Sequence, residues 1–160
     1  MPFAIEQEIL IDAPADQVWA VVSDLARYPE WNPFVVSCTS TLVPGDPIAM
    51  RVRIFAGFSQ PQREQILEHE PGRWLCYGLP PSRLGALASR RWHEVAPVDP
   101  AHTRYVSHFE LLGWLAPVVK WLLGARLRAA FGAMSAAIQA RAEALARSRS
   151  QAGAADAVGA

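Results

Sequence analysis

The chain has 160 residues, of which 51% are hydrophobic and 19% are charged, and its formal net charge is zero. The length and the apolar content predict one domain with a full core. The sequence has no basic run, which argues against nucleic acid as the main partner, because phosphate binding needs clustered Lys and Arg. The most apolar run, from Leu111 to Leu123, is interrupted by Gly113, Pro117 and Lys120 and is too short for a membrane span, which needs about 20 apolar residues.

The first predicted element is a strand from Phe3 to Ile11. Apolar residues alternate with Glu6 and Glu8, which is typical of a half-buried strand. Gln7 falls on the apolar face, and we expect a neighbouring group to satisfy its amide rather than a polar patch to form around it.

Two short helices are predicted after this strand. Pro14 suits the first position of a helix whose apolar face runs from Val18 to Leu25, and a second helix is predicted from Asp24 to Glu30. The aromatic residues Tyr28, Trp31 and Phe34 cluster here. They are interpreted either as packing at a helix-to-strand corner or as the rim of a pocket.

Six further strands follow, separated by turn signals such as Pro44-Gly45-Asp46-Pro47 and Glu70-Pro71-Gly72. Sequential strands with short connections predict an antiparallel meander. The predicted strands are Phe34 to Leu42, Ile48 to Phe55, Gln62 to Glu70, Arg73 to Leu79, Arg90 to Ala96 and Thr103 to Leu112.

A long helix is predicted from Leu115 to Arg147. Its apolar residues recur at helical spacing, with Arg141 on the same stripe, and small residues occupy the opposite side. The stripe consists of Leu123, Leu127, Phe131, Met134, Ile138 and Leu145. Residues 148–160 are rich in Ala, Gly and Ser, so the domain is predicted to span 1–147 and the remainder to be a disordered tail.

The segments Asp12 to Trp19 and Tyr28 to Pro33 resemble the opening of START/Bet v 1-like domains, the SRPBCC superfamily that includes polyketide cyclase/dehydrase-like proteins. Glu70-Pro71-Gly72 before a strand, with Phe131 and Met134 in the last helix, is similar to the same pattern. The resemblance implies an α+β helix-grip fold, in which a seven-stranded antiparallel sheet curves around the C-terminal helix, with two short helices after strand 1. It also implies an apolar cavity between sheet and helix. Members bind lipids, hormones, polyketides or flavonoid-like molecules, a minority are enzymes, and no universal catalytic residue carries over.

Four polar residues are predicted to face the long helix from the last two strands: Arg91, His93, Tyr105 and Ser107. One interpretation is that they satisfy one another, or that Arg91 and His93 reach solvent at the cavity mouth. The other is that the four residues orient a ligand in an apolar pocket. Arg91 could pair with a carboxylate or polarise a carbonyl, and His93 could relay a proton. This assignment depends on the absence of a β-bulge, because one extra residue would reverse the faces.

The predicted ligand-binding residues combine this polar group with apolar residues of the sheet, the helix and the aromatic corner. They are Trp31, Met50, Arg91, His93, Tyr105, Ser107, Phe109, Leu127, Phe131 and Met134. If the protein is an enzyme, the catalytic candidates are Arg91, His93 and Tyr105.

No metal or cofactor is expected, because the four histidines lack metal-ligand spacing and the sequence has no GxGxxG or phosphate-binding loop. Cys38 and Cys76 are isolated, so we interpret them as reduced thiols of a cytoplasmic protein.

Three functions fit the sequence. The first is a non-catalytic binder of a small hydrophobic molecule, and the second is a cyclase or dehydratase acting on a polyketide-like substrate. The third is a membrane-surface or partner-binding protein, in which Trp114 and Trp121 present an apolar patch at the start of the long helix. The alternative for that patch is packing against the first helices and the sheet edge. The oligomeric state is not predicted.

Overall fold

The computed structural model describes residues 2–158 and confirms the α+β helix-grip arrangement. Seven antiparallel strands form one curved sheet, and a long C-terminal helix packs on it. The strands are β1 (Phe3–Ile11), β2 (Val35–Ser40), β3 (Pro47–Phe55), β4 (Phe58–Glu70), β5 (Trp74–Gly78), β6 (Ala88–Asp99) and β7 (His102–Leu112). The helices are α1 (Ala15–Ser23), α2 (Tyr28–Trp31) and α3 (Ala116–Val158), with a 3₁₀ turn at Leu25–Arg27. Among these residues, no helix combines the length and apolarity needed to cross a bilayer.

The strand order is β1-β7-β6-β5-β4-β3-β2, so the first strand pairs with the last. Phe3 lies opposite Leu111 and Ile11 opposite Thr103 in this pair. The hydroxyl of Thr103 also donates to the carbonyl oxygen of Ala13 at 2.7 Å, which connects the start of β7 to the segment that leads into α1.

The register of β6 against β7 is unbroken from Ala88 to Pro97. Arg91 therefore lies opposite Phe109, and His93 lies opposite Ser107. Because side chains alternate across a sheet, all four point to the same face, and all four are buried. Arg91 and His93 therefore lie on the buried face of the sheet, as their alternation in the sequence predicts.

The apolar stripe of α3 covers the concave face of the sheet. Its buried members are Leu127, Phe131, Met134, Ile138 and Ala142. Leu145, which was predicted to belong to the stripe, is 40% exposed, and Ala142 takes the buried position one turn earlier. Arg141 reaches outward and pairs with Glu30 at 2.9 Å.

The side-chain amide of Gln7 forms hydrogen bonds with α3. A neighbouring group was expected to satisfy this amide, because Gln7 lies on the apolar face of β1. When the amide nitrogen faces the acceptors and the amide oxygen faces the Gly132 N–H, Nε2 donates to Ser135 Oγ at 2.8 Å and to the Phe131 carbonyl oxygen at 3.2 Å. The close approach favours glycine at position 132, because in this orientation a Cβ there would lie 3.1 Å from the Gln7 amide oxygen.

The structure corrects the prediction for the segment after Arg147. α3 continues to Val158, where a disordered tail was predicted from Ser148, and residues 159–160 lie outside the described part of the chain. The segment is rich in Ala, the best helix former, and extends an existing helix without a new nucleation step. Residues 148–155 are exposed, and Arg149 pairs with Asp16 at 3.2 Å on the surface.

Deletion of residues 148–160 is expected to lower the melting temperature by about 4 °C or less. The deletion removes little buried surface, and an exposed ion pair contributes no more than about 1 kcal/mol. Thermal unfolding of the full chain and of the truncated chain measures the difference. A larger loss would show that the helical extension stabilises the domain.

Candidate functional site

A cavity of about 260 Å³ lies between the curved sheet and the first half of α3. This volume is slightly below the roughly 300–1,000 Å³ of common ligand pockets. Its apolar wall includes Met50, Val52, Phe109, Leu123, Leu127 and Phe131. Its polar lining consists of Gln60, Gln62, Glu64, Tyr77, Ser89 and Arg91. A few polar groups in an apolar wall are the usual composition of a small-molecule site.

Arg91 is the charged group of β6 that lines this cavity, and it is only 4% exposed. Its guanidinium carbon lies 4.0 Å from the centroid of the Phe131 ring, and Nη2 lies 3.4 Å from the sulfur of Met134. Phe131 is itself held by edge and tilted contacts with Phe34 and Phe109. The guanidinium is therefore fixed by aromatic and sulfur contacts rather than by a carboxylate.

Two donor atoms of Arg91 have no hydrogen-bond partner among residues 2–158. Nε and Nη1 are both buried, and neither makes a hydrogen bond within the described chain. A buried donor without an acceptor costs about 1–3 kcal/mol. Such a cost in a cavity wall is offset when a ligand supplies the acceptor.

Glu64 brings a buried carboxyl group to the same cavity from β4. The amide of Gln62 donates a hydrogen bond to it. Burial raises the pKa of Glu64 above its ordinary value, and the Gln62 hydrogen bond and the charge of Arg91 oppose this shift only in part. The carboxyl therefore takes up a proton more readily than an exposed Glu does.

His93 lies behind the cavity wall, two residues from Arg91. Its Nδ1 is 2.7 Å from the hydroxyl of Tyr105, and its Nε2 is 3.4 Å from the hydroxyl of Tyr77. Burial, with the nearby charge of Arg91, holds the pKa of His93 well below its ordinary value, so the ring is neutral. Burial likewise raises the pKa of Tyr105 to about 12. The three side chains form a neutral hydrogen-bonded row of which only Tyr77 lines the cavity.

The structure divides the predicted ligand-binding residues into two groups. Those that line the cavity are Met50, Arg91, Phe109, Leu127 and Phe131. Those that do not are Trp31, His93, Tyr105, Ser107 and Met134. Four of the second group are buried in the core beside the cavity, whereas Trp31 is half-buried and lines a separate surface groove with Arg141.

The sequence-based prediction omitted the polar residues of β4 and β5. Gln60, Gln62 and Glu64 alternate on one face of β4, in step with buried Ile66. The predicted strand, Gln62 to Glu70, contains both Gln62 and Glu64, but no inward or outward face was assigned to its residues. Extending the period-two pattern would have placed Glu64 on the inner face.

No group of three or more His, Cys, Asp or Glu side chains within residues 2–158 is placed to hold a metal ion. The sequence comparison gives the decisive observation: a family model described as polyketide cyclase / dehydrase and lipid transport matches residues 2–148. The chain belongs to this family. No curated protein matches it in sequence.

Solved structures agree with the family assignment. A START superfamily protein from Mycobacterium smegmatis is 20% identical, with a TM-score of 0.66 over 89% of this chain and 98% of that one. The Zhui aromatase/cyclase from Streptomyces sp. R1128 is 17% identical, with a TM-score of 0.68 over 93% and 96%. A norcoclaurine synthase point mutant from Thalictrum flavum is 17% identical, with a TM-score of 0.62 over 87% and 92%. Identities this low establish the shared fold alone.

Proposed function

We propose that this family member binds a small, mainly apolar molecule, such as a lipid, a polyketide or an aromatic compound, in the cavity between sheet and α3. The observation that carries the proposal is Arg91, which has two buried donors in an apolar wall that lack a partner in the described part of the chain. Similarity to proteins described as lipid transport and aromatase/cyclase supports it. A cytoplasmic location belongs to the same proposal, because Cys38 and Cys76 are free thiols.

The chemistry of Arg91 specifies one feature of the ligand. A guanidinium binds a carboxylate, a phenolate or a polarised carbonyl through parallel N–H groups. We therefore propose a ligand with an apolar body and one oxygen acceptor at its inner end.

Calorimetric titration with a medium-chain fatty carboxylate and with the alcohol of the same chain tests this proposal. The carboxylate should bind about tenfold or more tightly, because a hydrogen bond to a charged group contributes about 1.5–3 kcal/mol. Equal affinities would show that Arg91 does not distinguish the carboxylate from the hydroxyl group. If neither compound bound, the result would contradict an apolar ligand site.

A cavity-filling pair of variants tests where the ligand lies. Leu127→Trp should keep the melting temperature within a few degrees and weaken carboxylate binding at least tenfold, because the indole occupies the void that Leu127 lines. Met134→Trp places the same ring in the packed core, where Met134 has no exposed surface, and should cost about 1–3 kcal/mol. Unfolding and calorimetry of both variants give the comparison. Normal binding by Leu127→Trp would place the ligand elsewhere.

A second candidate function is catalysis of the cyclase or dehydratase type. Glu64 favours it, because a carboxyl group with a raised pKa beside an arginine suits proton abstraction next to a carbonyl. In this reaction the C–H proton passes to the Glu64 carboxylate and the electron pair moves to the carbonyl oxygen. Arg91 would stabilise the resulting enolate. Of the three catalytic candidates from the sequence, Arg91 alone lines the cavity.

Proton exchange separates the two candidates without knowledge of the natural substrate. Nuclear magnetic resonance in heavy water follows loss of the α-proton from an aryl β-diketone. An enzyme should accelerate this exchange well beyond buffer, and Glu64→Gln should abolish the acceleration while retaining binding. A parent protein that binds the diketone without accelerating its exchange is a binder.

A further inference from the structure

Large apolar side chains are exposed around the start of α3. The sequence allowed two interpretations of this region: an exposed apolar patch, or packing against the first helices and the sheet edge. Trp121 is 83% exposed and Leu122 is 56% exposed, and Trp114 and Val118 are also exposed. Leu84, at 94%, extends from the loop between β5 and β6. That loop adjoins the helix start, because the Ala86 carbonyl oxygen accepts a hydrogen bond from Leu115 at 3.1 Å. We call Leu84, Trp114, Val118, Trp121 and Leu122 the docking face.

The docking face and the cavity are built from the same segments. Helical spacing turns Val118, Trp121 and Leu122 outward, whereas Val119 and Leu123 from the same turns line the cavity. The β5–β6 loop contributes exposed Leu84 and, three residues later, the cavity-lining Leu87. A surface that covered the docking face would therefore lie next to the part of the cavity that Leu87, Val119 and Leu123 line.

Cations flank the docking face, and acids are absent from this part of the helix. Between Leu111 and Ala142 the sequence contains one Lys, three Arg and no Asp or Glu. Lys120 and Arg128 lie 6.0 and 5.0 Å from the Phe3 ring on one side of α3. Arg126 lies 4.8 Å from the Phe55 ring on the other side. Since the net charge of the chain is zero, its acids are concentrated elsewhere.

We propose that the docking face binds the surface of a bilayer that contains anionic lipids. Trp side chains favour the boundary between headgroups and acyl chains, and neighbouring Lys and Arg are attracted to anionic headgroups. The pattern of the docking face matches both preferences at once. A second copy of the chain fits less well, because it would bring the cations of two identical faces together without a compensating acid on this stretch of helix.

Vesicle flotation of the full chain tests the proposal. The protein should float with vesicles of phosphatidylcholine plus phosphatidylserine, bind less at high salt, and bind poorly to phosphatidylcholine alone. Leu122→Ala and the pair Trp114→Ala with Trp121→Ala should weaken binding, the pair by roughly tenfold or more. Leu10→Ala is the matched control, because Leu10 is also 56% exposed but lies in β1, away from the docking face.

A second pair of variants tests the charges. Arg128→Gln should weaken binding to the anionic vesicles about fivefold, because one cation near such a surface contributes about 1 kcal/mol. Arg147→Gln removes an exposed cation further along the same helix and should have no effect.

Four results would overturn the proposal. They are no flotation with anionic vesicles, equal flotation with neutral vesicles, equal losses in the Leu10→Ala and Leu122→Ala variants, and a dimer in sedimentation that Trp121→Ala dissociates. The last result would assign the face to a second copy. Absence of flotation together with saturable binding of an acidic protein would assign it to a protein partner instead.

Discussion

Replacement of Arg91 by Met is expected to weaken binding of an apolar carboxylate by about 10- to 150-fold while the melting temperature stays level or rises. The affinity falls because the charge-assisted hydrogen bonds from Nε and Nη1 are lost. The folded state loses a stacking contact with Phe131 but also loses two buried donors for which residues 2–158 supply no acceptor. Since each such donor costs about 1–3 kcal/mol, the net change in stability is small or favourable.

Arg90→Met is the matched control for this prediction. Arg90 is the neighbouring residue in β6, and it faces the outer side of the sheet, where it pairs with Glu68 at 3.0 Å. Its replacement should leave carboxylate affinity unchanged. Calorimetry and thermal unfolding of both variants give the result. Arg91 would instead be a structural residue if its loss lowered the melting temperature markedly and left the affinity of the folded protein unchanged.

Replacement of His93 by Ala is expected to lower the free energy of unfolding by about 2–4 kcal/mol. The change opens a void at a fully buried position and leaves the hydroxyl of Tyr105 without its 2.7 Å partner. His93→Gln keeps a hydrogen-bonding group at the site and should cost less. Urea unfolding measures both. This outcome would make His93 a structural residue, because it does not line the cavity.

His93 should also set part of the pH dependence of stability. Its ordinary pKa of 6.5 applies to the unfolded chain, and its pKa in the folded protein is well below that value. The unfolded chain therefore takes up a proton as the pH falls below about 6.5 while the folded protein does not. The contribution is fully present above that pH and is lost toward lower pH, at up to about 1.4 kcal/mol per pH unit.

Glu64 acts in the opposite direction, because its pKa in the folded protein is raised above the ordinary 4.5. Comparison of the parent with His93→Gln cancels this effect and isolates His93. The stability advantage of the parent should shrink between about pH 7 and about pH 5. An advantage that stays constant across this range would mean that folded His93 titrates normally.

Period-two alternation was sufficient to predict which residues of β6 and β7 point inward. Arg91, His93 and Tyr105 are buried as predicted because the register of this strand pair contains no bulge over their span. The long helix was predicted for a similar reason, since its apolar spacing is regular from Leu127 to Ile138. These patterns are local, and the sequence displays them directly.

The extent of the cavity could not be predicted in the same way. Arg91 and His93 are two residues apart on one face of β6, yet Arg91 lines the cavity and His93 lies in solid core. The difference depends on the distance between α3 and the sheet at each of these two residues. Side chains on several strands together determine that distance. Alternation predicts on which face of the sheet a side chain lies. It does not predict whether the helix packs against that side chain or leaves a cavity there.

The pairing of β1 with β7 has a consequence for the order in which the chain can fold. β1 is made before the other six strands of the sheet, and within the described residues its one partner strand, β7, begins at His102. A high contact order of this kind slows folding, because a long loop must close before the pairing stabilises it. During synthesis the apolar face of β1 therefore stays exposed to solvent until β7 and α3 have left the ribosome. A chaperone that shields the first strand should raise the yield of native protein more than one acting on the finished chain.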